Sequence, residues 1–148
     1  MRQKGFSLVE LLIVVAIIAI IVAIAVPNLL TSRQAAQSAA AAGDLRTINS
    51  AMIAYASGSG NGQFAATFDA LQTNNYLPAN FGAGTNYNRG GYVGLLTPGA
   101  GNATYNVVAN PIAGATNTVF SYYTDESGTI RYKNSNGASN TDKPMGTQ

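Results

Sequence analysis

FSLVELLIVVAIIAIIVAIAV, residues Phe6–Val26, decides the architecture of this chain. Among these 21 residues only Ser7 and Glu10 are polar, and Leu11–Val26 is an unbroken apolar run. As a helix the segment spans about 31 Å, close to the hydrocarbon thickness of a bilayer. It is apolar all round rather than along one stripe, so it needs lipid or protein on every side. Arg2 and Lys4 stand just before it. Positive charge at that end stays cytoplasmic and sends the rest of the chain across the membrane as an extracytoplasmic head.

Hydrophobicity alone admits three fates for this run. One is a secretory signal cut near Ala23-Ile24-Ala25, another an uncleaved signal anchor, and the third a helix with an interaction role of its own. Glu10 discriminates between them. A charge within a spanning helix costs about 2.5–3.5 kcal/mol on insertion scales and marks a partner or a function. Its carboxylate requires a cation, and the segment holds none.

Outward from the run, Pro27 lacks an amide proton for the carbonyl of Ala23, which predicts a kink or local loosening. Helical spacing resumes at Leu29 and Leu30 and continues through Leu45, Ile48, Met52 and Tyr55. Polar side chains including Asn28, Arg33, Gln37, Asp44, Arg46 and Asn49 are assigned to the opposite, wetter face. A helix continuous from Phe6 to Ala56 would be about 76 Å long. Gly43 is its weak point, at about 1 kcal/mol relative to alanine.

The repeated glycines of Ser57–Gly62 end the helix. Their G-x-G spacing follows no strand and opens no suitable helix, so it is not read as a phosphate loop. Thr67 caps a short helix through Gln72, and Tyr76-Leu77-Pro78 makes an apolar turn after it. Four β-rich runs follow at Tyr92–Leu96, Thr104–Ala109, Val119–Thr124 and Thr129–Lys133, arranged most simply as two antiparallel hairpins. Asp125-Glu126-Ser127-Gly128 reads as a turn with solvated carboxylates rather than a calcium site. Asn102-Ala103-Thr104 matches a glycosylation sequon but reads as a loop entering a strand. Residues 134–148 are polar and are expected to form a flexible or loosely docked tail.

Composition narrows the chemistry. The chain has 148 residues, no cysteine and no histidine, so thiol nucleophiles, disulfides and the commonest general base and metal ligand are missing. No catalytic, cofactor or metal site is predicted, and the chain is not read as an enzyme. A formal charge of +2 from eight basic and six acidic side chains is too small for a nucleic-acid footprint. Arg131-Tyr132-Lys133 interleaves cations with an aromatic, but strand alternation separates the two on opposite faces.

Lys4-Gly5-Phe6-Ser7-Leu8-Val9-Glu10-Leu11-Leu12 resembles the prepilin signature of type IV pilins and type II secretion pseudopilins. The resemblance is close over about the first 50 residues and one of general layout beyond. It implies that a prepilin peptidase removes the leader, residues 1–5, by cutting between Gly5 and Phe6 and then methylates the Phe6 amine. It implies an α+β fold, with a long N-terminal α-helix packed on a small antiparallel β-sheet head. Residues 6–30 are then the transmembrane and assembly helix, 31–56 its amphipathic half, 57–133 the head and 134–148 the tail. Cutting before the helix creates an α-amine that is largely protonated near neutrality. This supplies a cation for Glu10, either within one chain, four residues away, or from the Phe6 amine of a neighbouring copy. A buried pair of the second kind specifies register more than stability.

The functional expectation from the resemblance is a structural subunit that polymerises through this helix into a type IV pilus-like filament. The alternatives are a pseudopilin of a periplasmic pseudopilus for protein export, or a filament-displayed DNA- or ligand-binding minor pilin. The implied partners are further copies of the chain, the prepilin peptidase, and an inner-membrane assembly platform with a separate cytoplasmic ATPase. Nucleic acid is not expected among them. The implied location is the bacterial inner membrane before assembly and an extracellular or periplasmic filament afterwards. Many relatives carry glycine where Ala19 stands eight residues before Pro27; alanine is the better helix former, so wide unwinding in a fibre is less favoured here.

Overall fold

The computed structural model describes residues 6–112, 114 and 119–146. Leader residues 1–5, with Arg2, Lys4 and Gly5, lie outside the described residues. The chain divides into two compact units, Met1–Arg33 and Gln34–Gln148. A helix α1, Leu8–Ser57, begins in the first and runs on into the second.

Within the second unit, α1 buries one stripe. Ala41, Ala42, Leu45, Ile48 and Met52 recur at intervals of one to four residues and lose nearly all contact with solvent. Burying Leu45, Ile48 and Met52 contributes about 1.5–3 kcal/mol each. After Ser57 the helix closes through Gly58 N to Ala54 O and Gly60 N to Tyr55 O. Gly60 is required by close approach, since a Cβ there would fall 2.1 Å from the carbonyl oxygen of Gln63. The short helix α2, Phe68–Thr73, starts where its cap predicts: Thr67 Oγ1 accepts from Ala70 N at 3.2 Å.

The sheet has six strands, β1 Asn86–Arg89, β2 Tyr92–Pro98, β3 Tyr105–Pro111, β4 Ser121–Asp125, β5 Arg131–Lys133 and β6 Lys143–Pro144. Each pairs antiparallel with the next in sequence order, giving one meander instead of two separate hairpins. The α+β class and the helix-on-sheet head agree with the sequence reading, as do four of the strands. β1 was not legible because asparagine is depleted in strands; the wholly buried Tyr87 overrides that propensity. Val119 lies in an isolated bridge before β4 begins. The Asp125–Gly128 turn forms as expected, with Gly128 N donating to Asp125 O and Ser127 N to Asp125 Oδ1.

One expectation narrows and another needs correction. Residues 134–146 take the docked rather than the flexible form of the expected tail, because β6 extends the sheet and the tail bonds back to it. Ala138 is buried, Gly137 N donates to Asn110 Oδ1, Ser121 Oγ donates to the Ser135 carbonyl, and Met145 N donates to Ile130 O. A proline is tolerated in β6 because that strand forms the sheet's edge. The correction concerns Asp44 and Asn49, which lie on the sheet side of α1 rather than its wet face.

Those two residues, with Ser38, pin the helix to the sheet. Asn49 Nδ2 donates to Thr124 Oγ1 at 2.7 Å, and Tyr105 Oη donates to Asn49 Oδ1 at 2.8 Å. Ser38 and Tyr122 share a hydroxyl bond of 2.7 Å. Tyr87 Oη donates to Asp44 Oδ2 at 2.8 Å, and Arg89 Nε lies 3.4 Å from the same oxygen. A buried amide or hydroxyl left without its partner costs about 1–3 kcal/mol. Asn49→Ala strands the Tyr105 hydroxyl, while Thr124 Oγ1 keeps its bond to the Thr129 carbonyl, and is expected to destabilise the head by about 1–3 kcal/mol, measured by chemical unfolding of the full chain in detergent.

Burial raises the hydroxyl pKa of Tyr87 and Tyr105 above the ordinary tyrosine range, and the carboxylate of Asp44 pushes Tyr87 further in the same direction. Both phenols are neutral in the folded state at pH values where the unfolded chain already ionises. Their contribution is complete below the unfolded value of about 10 and is lost as pH rises from there through the folded values. Cooperative unfolding accompanied by tyrosinate absorbance is expected above about pH 10; gradual, non-cooperative tyrosine ionisation with the fold intact would contradict it.

Candidate assembly site

The first unit is almost entirely surface. Every large apolar side chain from Phe6 to Leu30 is exposed, Phe6 most of all at 76%. The helix starts with Leu11 N donating to Ser7 O at 3.2 Å. Glu10 sits in its first turn, where the partial positive charge of unpaired backbone amides favours a carboxylate. Among the described residues Glu10 has no ion-pair partner. The next basic residue along the chain is Arg33, about 35 Å away along a helix. The carboxylate and the apolar surface thus share one deficit, since neither is satisfied within the described residues.

Pro27 lies within the helical assignment, which continues through it without a break. Side chains just beyond it bond to backbone carbonyls there. Asn28 Nδ2 donates to Ile24 O at 3.2 Å, while Thr31 Oγ1 and Ser32 Oγ each donate to Asn28 O at 2.9 Å. Serine and threonine bonds of this kind bend helices slightly. A shallow, open groove on this stretch is lined by Ile21, Val22, Ala25, Val26, Asn28, Leu29 and Ser32.

Glu10 and Pro27 therefore fall on one uncovered helix, with Phe6 two residues before its start, while Gly5 lies outside the described residues. Sequence reading missed the three polar pins of the head, although a signal for Asn49 was present. It stands four residues after Leu45 and three before Met52, on the stripe that both define. Asp125 spends its Oδ1 on the turn amide of Ser127, and among the described residues no three acidic, histidine or cysteine side chains cluster as metal ligands. On β5, Arg131 Nη1 donates to Asp142 O whereas Tyr132 packs edge-on against Phe120 at 5.3 Å. Neither arrangement builds a second site.

Residues 1–26 match the family model described as the prokaryotic N-terminal methylation motif. Among curated proteins, the type II secretion system core protein G of Klebsiella pneumoniae is 27% identical over 108 residues, covering 73% of this chain and 76% of the relative. The Escherichia coli protein of the same name is 28% identical over 110 residues, 74% of each chain. The type IV wide pilus major component PilA4 of Thermus thermophilus is 60% identical over 35 residues, 24% of this chain and 27% of that one. No solved structure gives a significant match. With the methylation motif at the head of an uncovered apolar helix, and an antiparallel sheet packed on the later part of that helix, the chain is similar in sequence to type II secretion core G proteins and, over its N-terminal segment, to a type IV pilus component.

Proposed function

We propose that the chain is a structural subunit that polymerises through its N-terminal helix into a type IV pilus-like filament. The observation that carries this reading is the uncovered part of α1, residues 8–33, whose large apolar side chains are all exposed and whose single carboxylate, Glu10, has no cation beside it among the described residues. Lipid covers the hydrocarbon but not the charge. A second copy covers both, if its Phe6 amine is freed by cleavage after Gly5 and methylated by the prepilin peptidase. Apolar packing then supplies the attraction, and the amine–carboxylate pair sets the register. The energy for lifting subunits out of the membrane comes from a separate cytoplasmic ATPase acting on an inner-membrane platform. The same helix holds the subunit in the inner membrane, head outward, until it is incorporated.

A second reading within the family rests on a specific observation. The relatives matched through the head carry the type II secretion name, whereas the pilus relative is matched over 35 residues only. A periplasmic pseudopilus for protein export would use the helix in the same way. Deleting the gene and assaying surface fibres alongside protein export separates the two: loss of fibres with export intact supports the pilus, and the reverse supports the pseudopilus.

Glu10→Ala is expected to insert and to be processed normally, but to enter filaments poorly, with a drop of roughly tenfold or more for about 1.4 kcal/mol lost per contact. Membrane and filament fractions resolved by immunoblotting measure this, and normal incorporation would remove Glu10 from assembly. Intact-mass measurement of sheared fibres tests processing. The expected species starts at Phe6 with a methylated amine; a freely soluble chain starting near Val26 would show the helix to be a discarded signal.

A further inference from the structure

Sulfur is scarce in this chain, which has three methionines and no cysteine. Met52 is wholly buried on α1 and Met1 lies outside the described residues, whereas Met145, near the end of the tail, is 38% exposed. Its backbone amide donates to Ile130 O at 2.8 Å, just past β6, where the tail is held to β5. Its side chain borders two shallow hollows. One is walled by Phe120, Tyr122 and Tyr132, and the other by Arg46 of α1 with Thr129 and Ile130. Phe120 and Tyr132 meet edge to face at 5.3 Å, so the thioether stands beside a small aromatic wall at the edge of the sheet. β6 is two residues long, and strand pairing alone holds this end of the tail weakly.

We propose that Met145 is a redox-sensitive clasp, whose thioether a peroxide converts to the sulfoxide and whose oxidation lifts the end of the tail from β5. The inference does not depend on the filament reading. In the modification step the sulfur lone pair takes one peroxide oxygen as the O–O bond breaks. The proton left on that oxygen passes to the departing hydroxide, giving sulfoxide and water, so methionine loses the two electrons that the peroxide gains. Accessibility selects the site, because the enclosed sulfur of Met52 is out of reach of an oxidant in the folded chain. The product is polar and chiral where the thioether was apolar and adaptable. Beside Phe120 and Tyr132 it gives up the sulfur–aromatic attraction and favours water, which shifts the balance toward an open tail. The change is reversible, since methionine sulfoxide reductases restore the thioether.

The test treats the full chain in detergent with dilute hydrogen peroxide, locates the added oxygen by peptide mass spectrometry and follows amide hydrogen exchange. Oxygen is expected on the peptide that carries Met145 and not on the one that carries Met52. The Met145 amide is then expected to exchange roughly tenfold faster, the upper range for loss of a sulfur–aromatic contact, with β2 and β3 unchanged. Treatment with methionine sulfoxide reductase is expected to restore the slower exchange. Met145→Leu keeps an apolar side chain and is expected to hold the tail down in peroxide, whereas Met145→Gln is expected to loosen it without any oxidant. A Met145 that resists peroxide or is oxidised no faster than Met52 would overturn the proposal. So would an oxidised Met145 with unchanged exchange, a Met145→Leu chain that loosens equally in peroxide, or a Met145→Gln chain as protected as the wild type. None of these measurements requires filaments, so such a failure leaves the filament reading standing.

Discussion

A helix with hydrocarbon on every side and one carboxylate in its first turn has no stable resting place in water. Apart from the first-turn amides and the carbonyl that Pro27 leaves free, the backbone of residues 8–33 is internally hydrogen-bonded, so most of the unmet demand lies with the side chains. Apolar groups from Phe6 to Leu30 require a dry surrounding, and Glu10 requires a positive charge within it. These requirements conflict in lipid alone, where a charge is costly; in the proposed filament a neighbouring copy would reconcile them by bringing an amine to the same depth. On the proposed reading the membrane is a reservoir for the subunit, and the fibre is where its surface would be completed.

The head answers a different problem with different chemistry. There α1 meets a sheet, and the interface mixes hydrocarbon with polar pins from Ser38, Asp44 and Asn49. Such bonds add little net stability when satisfied but cost much when broken, which fixes one rotation and one register of the helix against the strands. A purely apolar interface of alanines, leucine and isoleucine would tolerate sliding by a turn. Tyrosine suits the task because its ring fills the core while its hydroxyl reaches the helix, as Tyr87, Tyr105 and Tyr122 all do. Chemistry that binds loosely and generically sits at one end of α1, and chemistry that binds specifically at the other.

Legibility in the sequence followed the same division. The apolar run, Glu10 and the cap at Thr67 are local signals, readable from a few adjacent residues. So were the strands rich in β-branched and aromatic residues. What could not be read depends on partners distant in sequence. Asn49 looks like a solvent-facing amide until Thr124 and Tyr105, 75 and 56 residues away, are placed against it. β1 and β6 are polar strands stabilised by neighbours already in the sheet, and neither has a propensity signal of its own. Of the assembly site, the helix and its charge were legible, whereas its exposure on all sides required knowing that the sheet covers α1 only from Ser38 onward.

Pro27 stands between these two regimes. A proline inside a helix frees one carbonyl and bends the axis, yet the assignment here is continuous. The donors that follow it, Asn28, Thr31 and Ser32, supply side-chain bonds to nearby carbonyls. In an apolar setting an unpaired carbonyl is expensive, so polar side chains clustered within one turn of a proline reduce the cost of local distortion. Ala19, a strong helix former, works against distortion spreading toward the N-terminus. Adjustment is thereby concentrated in the turn after Pro27, ahead of the pinned segment and behind the apolar one.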